Sequence, residues 1–390
     1  MKTSKTSKTS FSLPVWSVAA PIAGWLFLGG AGFNFGGAYT ILLVIGLLGS
    51  VLAAVYHAEV VAHRVGEPYG TLVLALAVTL IEVALIVSLM LAGGEETTGL
   101  ARDTVFAAIM IILNGIVGIC LLVGASHHKE QSFGLLGVSA SLATLAAIAV
   151  LTLVLPNYTS SALGPFYTPS QLTFIAIISL ILYGTFVLVQ TVRHRDYFLP
   201  EEAINNENVH AEPPSVKVAV ISGVLLLVCL GAVVLLAKSL AKSLAKSLAK
   251  SLAKSLAKSL AKSLAKSLAK SLAPTLETAA ASLGAPKTLV GIIIAAVVLL
   301  PEGLAAVRAA RANRLQTNLN LALGSALASI GLTIPAAAIV SLSTGWTLTL
   351  GLDIKSTVLL LLSLIVAMFS LGTGRTTVMQ GTVHLVIFAV

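Results

Sequence analysis

Long apolar stretches follow one another along almost the whole chain, with short polar connections between them. A helix that crosses a bilayer needs about 20 mainly apolar residues. Apolar residues make up 57% of the 390 residues and charged residues only 10%, against about 25% charged residues in an ordinary soluble domain. The chain is therefore predicted to be an all-α polytopic membrane protein.

Eleven stretches have the length and composition of membrane-spanning helices. They are 14–31, 38–56, 69–92, 104–125, 133–155, 171–192, 216–236, 288–307, 319–341, 355–371 and 376–390. The predicted units are an N-terminal tail with the first helix (1–32), a first repeat (38–192), an acidic cytoplasmic linker (193–215) and a second repeat (216–390), which the array at 237–272 interrupts.

Lysines and arginines are distributed unequally between alternate connections. With the N-terminus on the inner side, twelve of them fall on that side and three on the other, when the nine lysines of 237–272 are counted separately. Cytoplasmic loops of membrane proteins are enriched in Lys and Arg. The N-terminus is therefore predicted to be cytoplasmic.

Two of the fifteen acidic residues lie deep inside predicted spans. Glu82 is in span 3 and Glu302 in span 8, each about fourteen residues into its span. A charged side chain at the bilayer centre costs about 2.5–3.5 kcal/mol on insertion scales, and residues of this kind usually have a function. Two acids at matching depths favour a cation- and proton-binding pair over protonated glutamates that only bond a neighbouring helix.

The two acids lie five spans apart, and an odd number of spans reverses the direction of a helix. The helices of Glu82 and Glu302 are therefore predicted to run in opposite directions. Spans 2–6 and 7–11 would then form two inverted five-helix repeats, with the site at mid-membrane where the repeats meet. This architecture is typical of transport by alternating access.

Pro301 interrupts the helix beside the second acid. A proline inside a helix removes one backbone hydrogen bond, which here frees the carbonyl of Val297. Exposed backbone at membrane depth is tolerated where it lines a polar cavity. Carbonyl and carboxylate oxygens suit hard cations such as Na⁺ and Ca²⁺.

Four other polar residues inside spans are candidate ligands for the cation or proton. They are Thr79, Asn114, Ser325 and Ser329. Small polar residues are also common packing devices between transmembrane helices, so a packing role remains open for each of them. His384, deep in a late span, is interpreted as a packing or lumen-lining residue.

Two segments, 57–86 and 289–335, each contain one of the acids and resemble the α-repeats of a known family. Their sequences are HAEVVAHRVGEPYGTLVLALAVTLIEVALI and LVGIIIAAVVLLPEGLAAVRAARANRLQTNLNLALGSALASIGLTIP. The chain resembles the calcium/proton exchanger (CAX) family of the cation/Ca²⁺ exchanger superfamily over most of its length outside 237–272. The resemblance implies a multi-pass protein of the bacterial inner (plasma) membrane that is not an enzyme and needs no cofactor.

The residues before each acid depart from the family's Gly-Asn-Ala-x-Glu pattern. The two positions read Val78-Thr79-Leu80-Ile81-Glu82 and Val298-Leu299-Leu300-Pro301-Glu302. The acids correspond, but the Gly and Asn do not. An Asn would offer a neutral oxygen to Ca²⁺, so its loss leaves room for Na⁺ or K⁺.

The resemblance also places Glu59 near an acidic position of the family's cytoplasmic mouth. Glu59 and His57 lie at the cytoplasmic end of span 2, where they are candidates for collecting cations. A solvated helix end is the alternative interpretation.

The predicted activity is antiport, because a cation and a proton would compete for the same carboxylates. Cytoplasmic Ca²⁺, Na⁺ or K⁺ would leave the cell in exchange for external protons. The alternatives are a cation channel and an Na⁺/K⁺-selective exchanger without Ca²⁺ transport. An intramembrane hydrolase would usually have a His-Glu-x-x-His motif, which is absent.

Residues 237–272 repeat Ala-Lys-Ser-Leu nine times. Their nine lysines equal the formal net charge of +9, so the basic composition does not indicate a nucleic-acid partner. The expected partners are inorganic cations, protons and the lipid bilayer. Nine lysines are too costly to place inside lipid, so the array is predicted to lie in an outer loop as an expansion of one AKSL copy. A lipid-surface anchor or a cation screen is the alternative.

Overall fold

The computed structural model describes residues 13–30, 37–66, 69–198, 214–236, 303–304 and 306–390, together with 239, 295–296 and 299. Almost all of them are helical. The array apart from Ser239, most of the acidic linker, and Val297, Pro301 and Glu302 lie outside the described residues.

The helices of the described part form a bundle of long apolar elements. They are α1 (Val15–Gly30), α2 (Gly37–Val65), α3 (Tyr69–Gly93), α4 (Leu100–Met110), α5 (Val117–His128), α6 (Leu135–Ala149), α7 (Pro169–Leu188), α8 (Val216–Leu236), α9 (Leu315–Thr344), α10 (Ile354–Leu371) and α11 (Val378–Ala389). A π-helical turn, Ile111–Ile116, joins α4 to α5 without a break, and two further π turns, Val150–Val154 and Val189–Arg193, extend α6 and α7.

Within this described part, seven continuous helices are long and apolar enough to cross a membrane, and three shorter apolar helices accompany them. These ten helices correspond to predicted spans 1–7 and 9–11. Most of predicted span 8, 288–307, lies outside the described residues. The all-α polytopic membrane architecture is confirmed.

Local sequence signals explain where some helices begin and end. At the start of α7, the Gln171 backbone N–H donates to Thr168 Oγ1 at 3.4 Å, and the Thr168 N–H donates to the Gln171 side chain at 3.1 Å. Pro169 occupies the first turn, where its missing N–H costs nothing. At the end of α9, Gly345 adopts φ 77°, a left-handed conformation that glycine tolerates best.

The connections between helices divide into two sides of the bundle. On one side, the strand Gln131–Ser132 (β1) after α5 pairs antiparallel with Arg375–Thr376 (β2) before α11. On the other side, Phe166 before α7 forms a bridge with Thr349 before α10. These pairings agree with the alternation of connections that the span count predicts.

The continuous helix α4–α5 and helix α9 form the interior of the bundle, since most of the residues along each are buried. Helix α9 packs against α3, α6 and α7. Its approach to α7 is close at Gly331, where an added Cβ would lie 2.8 Å from the Cβ of Tyr183. Because α9 is central, most polar groups along its middle are buried among other helices and do not face lipid.

Helix α1 lies outside the two groups of five spans and packs against their first helices, α2 and α8. An added Cβ on Gly24 of α1 would lie 2.5 Å from Ser50 Oγ of α2. The Trp25 indole N–H donates to the Val228 carbonyl of α8 at 3.3 Å. The N-terminal helix therefore contacts both halves of the chain.

Candidate functional site

Glu82 is buried in the middle of α3, with only 3% of its surface exposed. The Ser329 hydroxyl of α9 donates to Glu82 Oε1 at 2.6 Å. Glu82 belongs to the first half of the chain and Ser329 to the second, so this hydrogen bond joins the two halves. It brings together two residues that the sequence nominated separately.

The sequence of α3 accounts for the inward orientation of Glu82. Ile81, Leu85 and Ile86 around it are buried in the same core. Thr79, three residues earlier and on the same side of the helix, is also buried. The face of α3 that contains Glu82 therefore packs against protein, as expected for an ionisable residue at membrane depth.

Helix α9 presents a line of buried polar residues on the face that contains Ser329. Asn318, Ser325, Ser329 and Thr333 are each at most 6% exposed. Their spacings of seven, four and four residues keep them within one side of a helix that turns about 100° per residue. The line extends about 22 Å at ~1.5 Å per residue, and Glu82 meets it at Ser329.

Sequence reasoning predicted Ser325 and Ser329 but missed Asn318 and Thr333 on the same line. The helical spacing within an apolar span was the signal that could have identified them. The Asn318 carboxamide lies beside the Cys120 thiol, a weak partner. Within the described part of the chain, neither its amide atoms nor Thr333 Oγ1 has a hydrogen bond of normal geometry. Buried polar groups in this state are good candidates for contact with water or an ion.

Asn114 is fully buried in the π turn between α4 and α5. Its side-chain amide donates to Ser363 Oγ of α10 at 2.7 Å. Its oxygen lies 3.2 Å from His384 Nδ1 of α11. The structure thus places Asn114 in a second polar group that joins three elements.

The second predicted acid, Glu302, lies outside the described residues together with Pro301 and Val297. The next residue, Gly303, is described. An added Cβ on Gly303 would lie 3.6 Å from the side chain of Ile116, the last residue of the π turn. The π turn that contains Asn114 therefore contacts the residue that follows Glu302 in sequence.

The two candidates for a cytoplasmic mouth have different surroundings. Glu59 on α2 is exposed. His57 is fully buried and its Nε2 lies 3.1 Å from the Ser17 carbonyl of α1. A carbonyl can only accept, so Nε2 donates and His57 fastens the start of α1 to α2.

The Glu82 site has the chemistry of a cation and proton site. A carboxylate binds either a proton or a cation, and neighbouring hydroxyl groups offer neutral oxygens. Hard cations prefer such oxygen ligands. Because α3 and α9 come from different halves, a movement of one half relative to the other would change the ligands around Glu82.

Known proteins resemble this chain along most of its length. The family model described as "Sodium/calcium exchanger protein" matches residues 35–192 and 218–390. The chain is 44% identical over 385 residues to "Putative ionic transporter y4hA" of Sinorhizobium fredii, covering 98% of this chain and 96% of that protein. It is 34% identical over 354 residues to "Sodium-potassium/proton antiporter ChaA" of Escherichia coli, covering 90% of this chain and 87% of that protein.

Two solved structures share the fold. YfkE superposes with a TM-score of 0.64 at 15% identity, covering 96% of this chain and 97% of the other. The H⁺/Ca²⁺ exchanger CAX superposes with a TM-score of 0.65 at 15% identity, covering 96% and 86%. The family match covers both halves of the chain, and both relatives align along nearly its whole length. The chain therefore belongs to the sodium/calcium exchanger protein family.

Proposed function

We propose that the chain is a secondary active cation/proton antiporter that exports cytoplasmic Na⁺, K⁺ or Ca²⁺ in exchange for protons. The observation that supports this most is the buried hydrogen bond from Ser329 to Glu82, which joins the two halves at an ionisable group. A buried carboxylate that two opposed halves share can be presented to one side of the membrane at a time.

Competition for Glu82 couples the two fluxes in this proposal. The charged carboxylate is costly inside the membrane unless a cation or a proton neutralises it. The transporter therefore switches between its inward-open and outward-open states when either a cation or a proton is bound. With the site empty and charged, this switch is unfavourable. Glu302 is the second member of the pair, so that two carboxylates can neutralise one Ca²⁺ or hold Na⁺ while one proton remains.

Further ligands of the cation are assigned to the groups around this pair. Ser329 contacts Glu82 directly, while Thr79 and Ser325 lie on the same faces of α3 and α9. The remaining candidates are the Asn114 oxygen and the Val297 carbonyl that Pro301 frees. Exposed Glu59 attracts cations at the cytoplasmic mouth.

The cation is best assigned to the monovalent class, with Ca²⁺ as the second candidate. The E. coli relative is named a sodium-potassium/proton antiporter, and CAX, which has the same fold, an H⁺/Ca²⁺ exchanger. The chain lacks the Asn that precedes each acid in the family pattern. A site with fewer neutral oxygens suits Na⁺ or K⁺ better than Ca²⁺, which takes six to eight oxygen ligands.

The bacterial inner membrane, with the N-terminus in the cytoplasm, is the proposed location. The excess of Lys and Arg on one set of connections supports this orientation. The array at 237–272 then lies on the outer side, and we assign it no part in transport.

Cation-induced collapse of a proton gradient tests the proposal. Everted vesicles that contain the chain are acidified inside, and Na⁺, K⁺ and Ca²⁺ are added in turn. Alkalinisation of the lumen by at least one cation is expected, with an apparent KM that rises as the outside pH falls while Vmax stays constant. Vesicles without the chain are the control. The proposal would be contradicted if, for each of the three cations, vesicles with and without the chain gave the same response.

A cation channel is the competing function, and the same vesicles separate it from antiport. A channel would conduct cations down their own gradient without any movement of protons. An antiporter moves a cation only in exchange for protons that cross in the opposite direction. Cation flux that is unchanged when the pH gradient is removed would support the channel.

A further inference from the structure

A chain of four buried polar side chains connects α10, the π turn and α11. In order of contact its members are Ser363, Asn114, His384 and Ser370, and none of them is more than 5% exposed. The distances between successive polar atoms are 2.7, 3.2 and 2.7 Å. His384 is the titratable member of this chain, and the transport site proposed above does not use it.

The direction of every hydrogen bond in the chain follows from its first member. Ser363 Oγ lies 2.7 Å from the Leu359 carbonyl one turn earlier, and a carbonyl can only accept. The other acceptor within reach is Met110 Sδ at 3.4 Å, a weaker and more distant partner, so the single hydroxyl hydrogen of Ser363 is assigned to the Leu359 carbonyl. Ser363 Oγ must accept from Asn114 Nδ2, because the amide nitrogen has only hydrogens to offer.

The other end of the Asn114 amide then determines the state of His384. Asn114 Oδ1 faces His384 Nδ1 and cannot donate, so Nδ1 has the hydrogen. In a neutral imidazole, Nε2 is then unprotonated and accepts the Ser370 hydroxyl hydrogen at 2.7 Å. Ser363 and His384 together hold the Asn114 amide in one orientation, and Oδ1 keeps a second lone pair.

The π turn that contains Asn114 packs against α9, the helix that contributes Ser329 to the proposed transport site. Asn114 is in the π turn, and π turns inside helices are frequent at functional sites. Ile116 of the same turn contacts Gly303, which follows Glu302 in sequence. Helix α11 packs tightly on α5, since an added Cβ on Gly118 would lie 3.0 Å from the Cβ of His384. A change at His384 would therefore reach the π turn directly.

We propose that His384 is a positioning residue for transport: with Ser363 it fixes the orientation of the Asn114 carboxamide, so that an oxygen and not an amide hydrogen is available to the cation. The inference rests on the proposed antiport function and adds a role for the last helix. His384 acts through Asn114 and is not itself a cation ligand.

Two substitutions of His384 separate its two ring nitrogens. His384→Asn places an amide nitrogen at the position of Nδ1, and His384→Gln places one at the position of Nε2. The Asn variant can keep the donor to Asn114, while the Gln variant can keep only the contact with Ser370. KM and Vmax of exchange are measured in everted vesicles with whichever of Na⁺, K⁺ and Ca²⁺ the wild type exchanges.

The expected result is a KM within about twofold of wild type for His384→Asn and a KM raised roughly tenfold for His384→Gln, the loss typical of one buried hydrogen bond. A histidine that only supports folding would lower the amount of inserted protein, and hence Vmax, in both variants without separating their KM values. Equal KM values in the two variants overturn the inference.

Ser363→Ala tests the other end of the chain with a smaller risk to folding. It removes the group that accepts from Asn114 Nδ2, and the KM is expected to rise severalfold. Ser179→Ala is the matched control, because Ser179 is equally buried and its hydroxyl bonds its own helix at Ile175. An unchanged KM in Ser363→Ala overturns the inference. If the wild type shows no exchange, the proposed function is overturned as well. If the wild type exchanges cations and these substitutions leave its KM unchanged, only the inference about His384 is overturned.

Discussion

Ser329 brings an oxygen from the second half of the chain to within 2.6 Å of a carboxylate of the first half. A hydroxyl hydrogen bonded to a charged acceptor makes a short, strong interaction. The same Ser329 oxygen can serve as a neutral ligand when a cation replaces the hydrogen bond. Ser329 can therefore respond to both ions that are proposed to bind at Glu82.

Ser329→Ala is expected to weaken cation binding. The variant removes the Ser329 oxygen as a neutral ligand of the bound cation, and the KM of exchange should rise about tenfold, comparable to the loss of one polar interaction with a charged group. The measurement is the cation dependence of gradient collapse in everted vesicles.

The matched control for this change is Ser141→Ala. Ser141 is also a buried serine of a spanning helix, but its hydroxyl donates to the Gly137 carbonyl of its own helix at 2.8 Å. Its removal should leave the KM unchanged. Equal KM values for Ser329→Ala and wild type would contradict the role of Ser329.

The individual site residues could be nominated from the sequence, but their contacts could not. Glu82 is conspicuous because a carboxylate inside an apolar stretch is costly. Nothing local to Ser329 distinguishes it from Ser141, since both are small polar residues in apolar helices. Only the packing of α9 on α3 shows that Ser329 contacts Glu82. These two residues are 247 positions apart in the sequence.

At the scale of single elements, α9 determines how closely the central helices approach. Its small residues allow tight contacts, and Gly331 faces the Cβ of Tyr183 in α7. Helix packing within membranes depends on such close approaches, because the hydrophobic effect does not act between helices there.

Gly331→Ala is therefore expected to destabilise the protein. The new Cβ would lie 2.8 Å from the Cβ of Tyr183, so the helices must separate, and such overpacking costs about 1–3 kcal/mol. Gly184→Ala on α7 is the control, since an added Cβ there meets nothing within 4 Å. Thermal unfolding in detergent should show a lower midpoint for the first variant only; equal midpoints would contradict the packing of α9 on α7.

Most helices follow from hydropathy, whereas their ends and internal irregularities do not. The predicted span 38–56 continues in the structure to Val65, because helix α2 extends past the apolar core into HAEVVAHRV. The π turn Ile111–Ile116 could not be predicted from the pattern of apolar residues. A π turn changes the backbone by a single residue, which a count of apolar residues cannot detect.

At the scale of the whole molecule, the connections sort onto two sides as the span count predicts. β1 pairs with β2 on one side, and Phe166 pairs with Thr349 on the other. Hydropathy and alternation were sufficient for this result because each span reverses the chain. The proposed orientation adds that the side of β1 faces the cytoplasm.

Cysteine labelling tests this orientation. Both native cysteines, Cys120 and Cys229, are buried and should react little. A membrane-impermeant maleimide added to intact cells should label Leu163→Cys, in the connection between α6 and α7, where Leu163 is 94% exposed. Glu130→Cys should be labelled only in everted vesicles, and the reverse pattern would show that the N-terminus is outside.

The central claim is that Glu82 and Glu302 form the shared site of the cation and the proton. The most direct measurement is cation-dependent collapse of a pH gradient in everted vesicles with Glu82→Gln and Glu302→Gln, examined separately. Glu130→Gln is the control, since Glu130 is an exposed acid 3.8 Å from Arg375. Both test variants should insert normally and lose exchange, while the control exchanges as the wild type does. Wild-type exchange in either Glu82→Gln or Glu302→Gln would contradict the shared site.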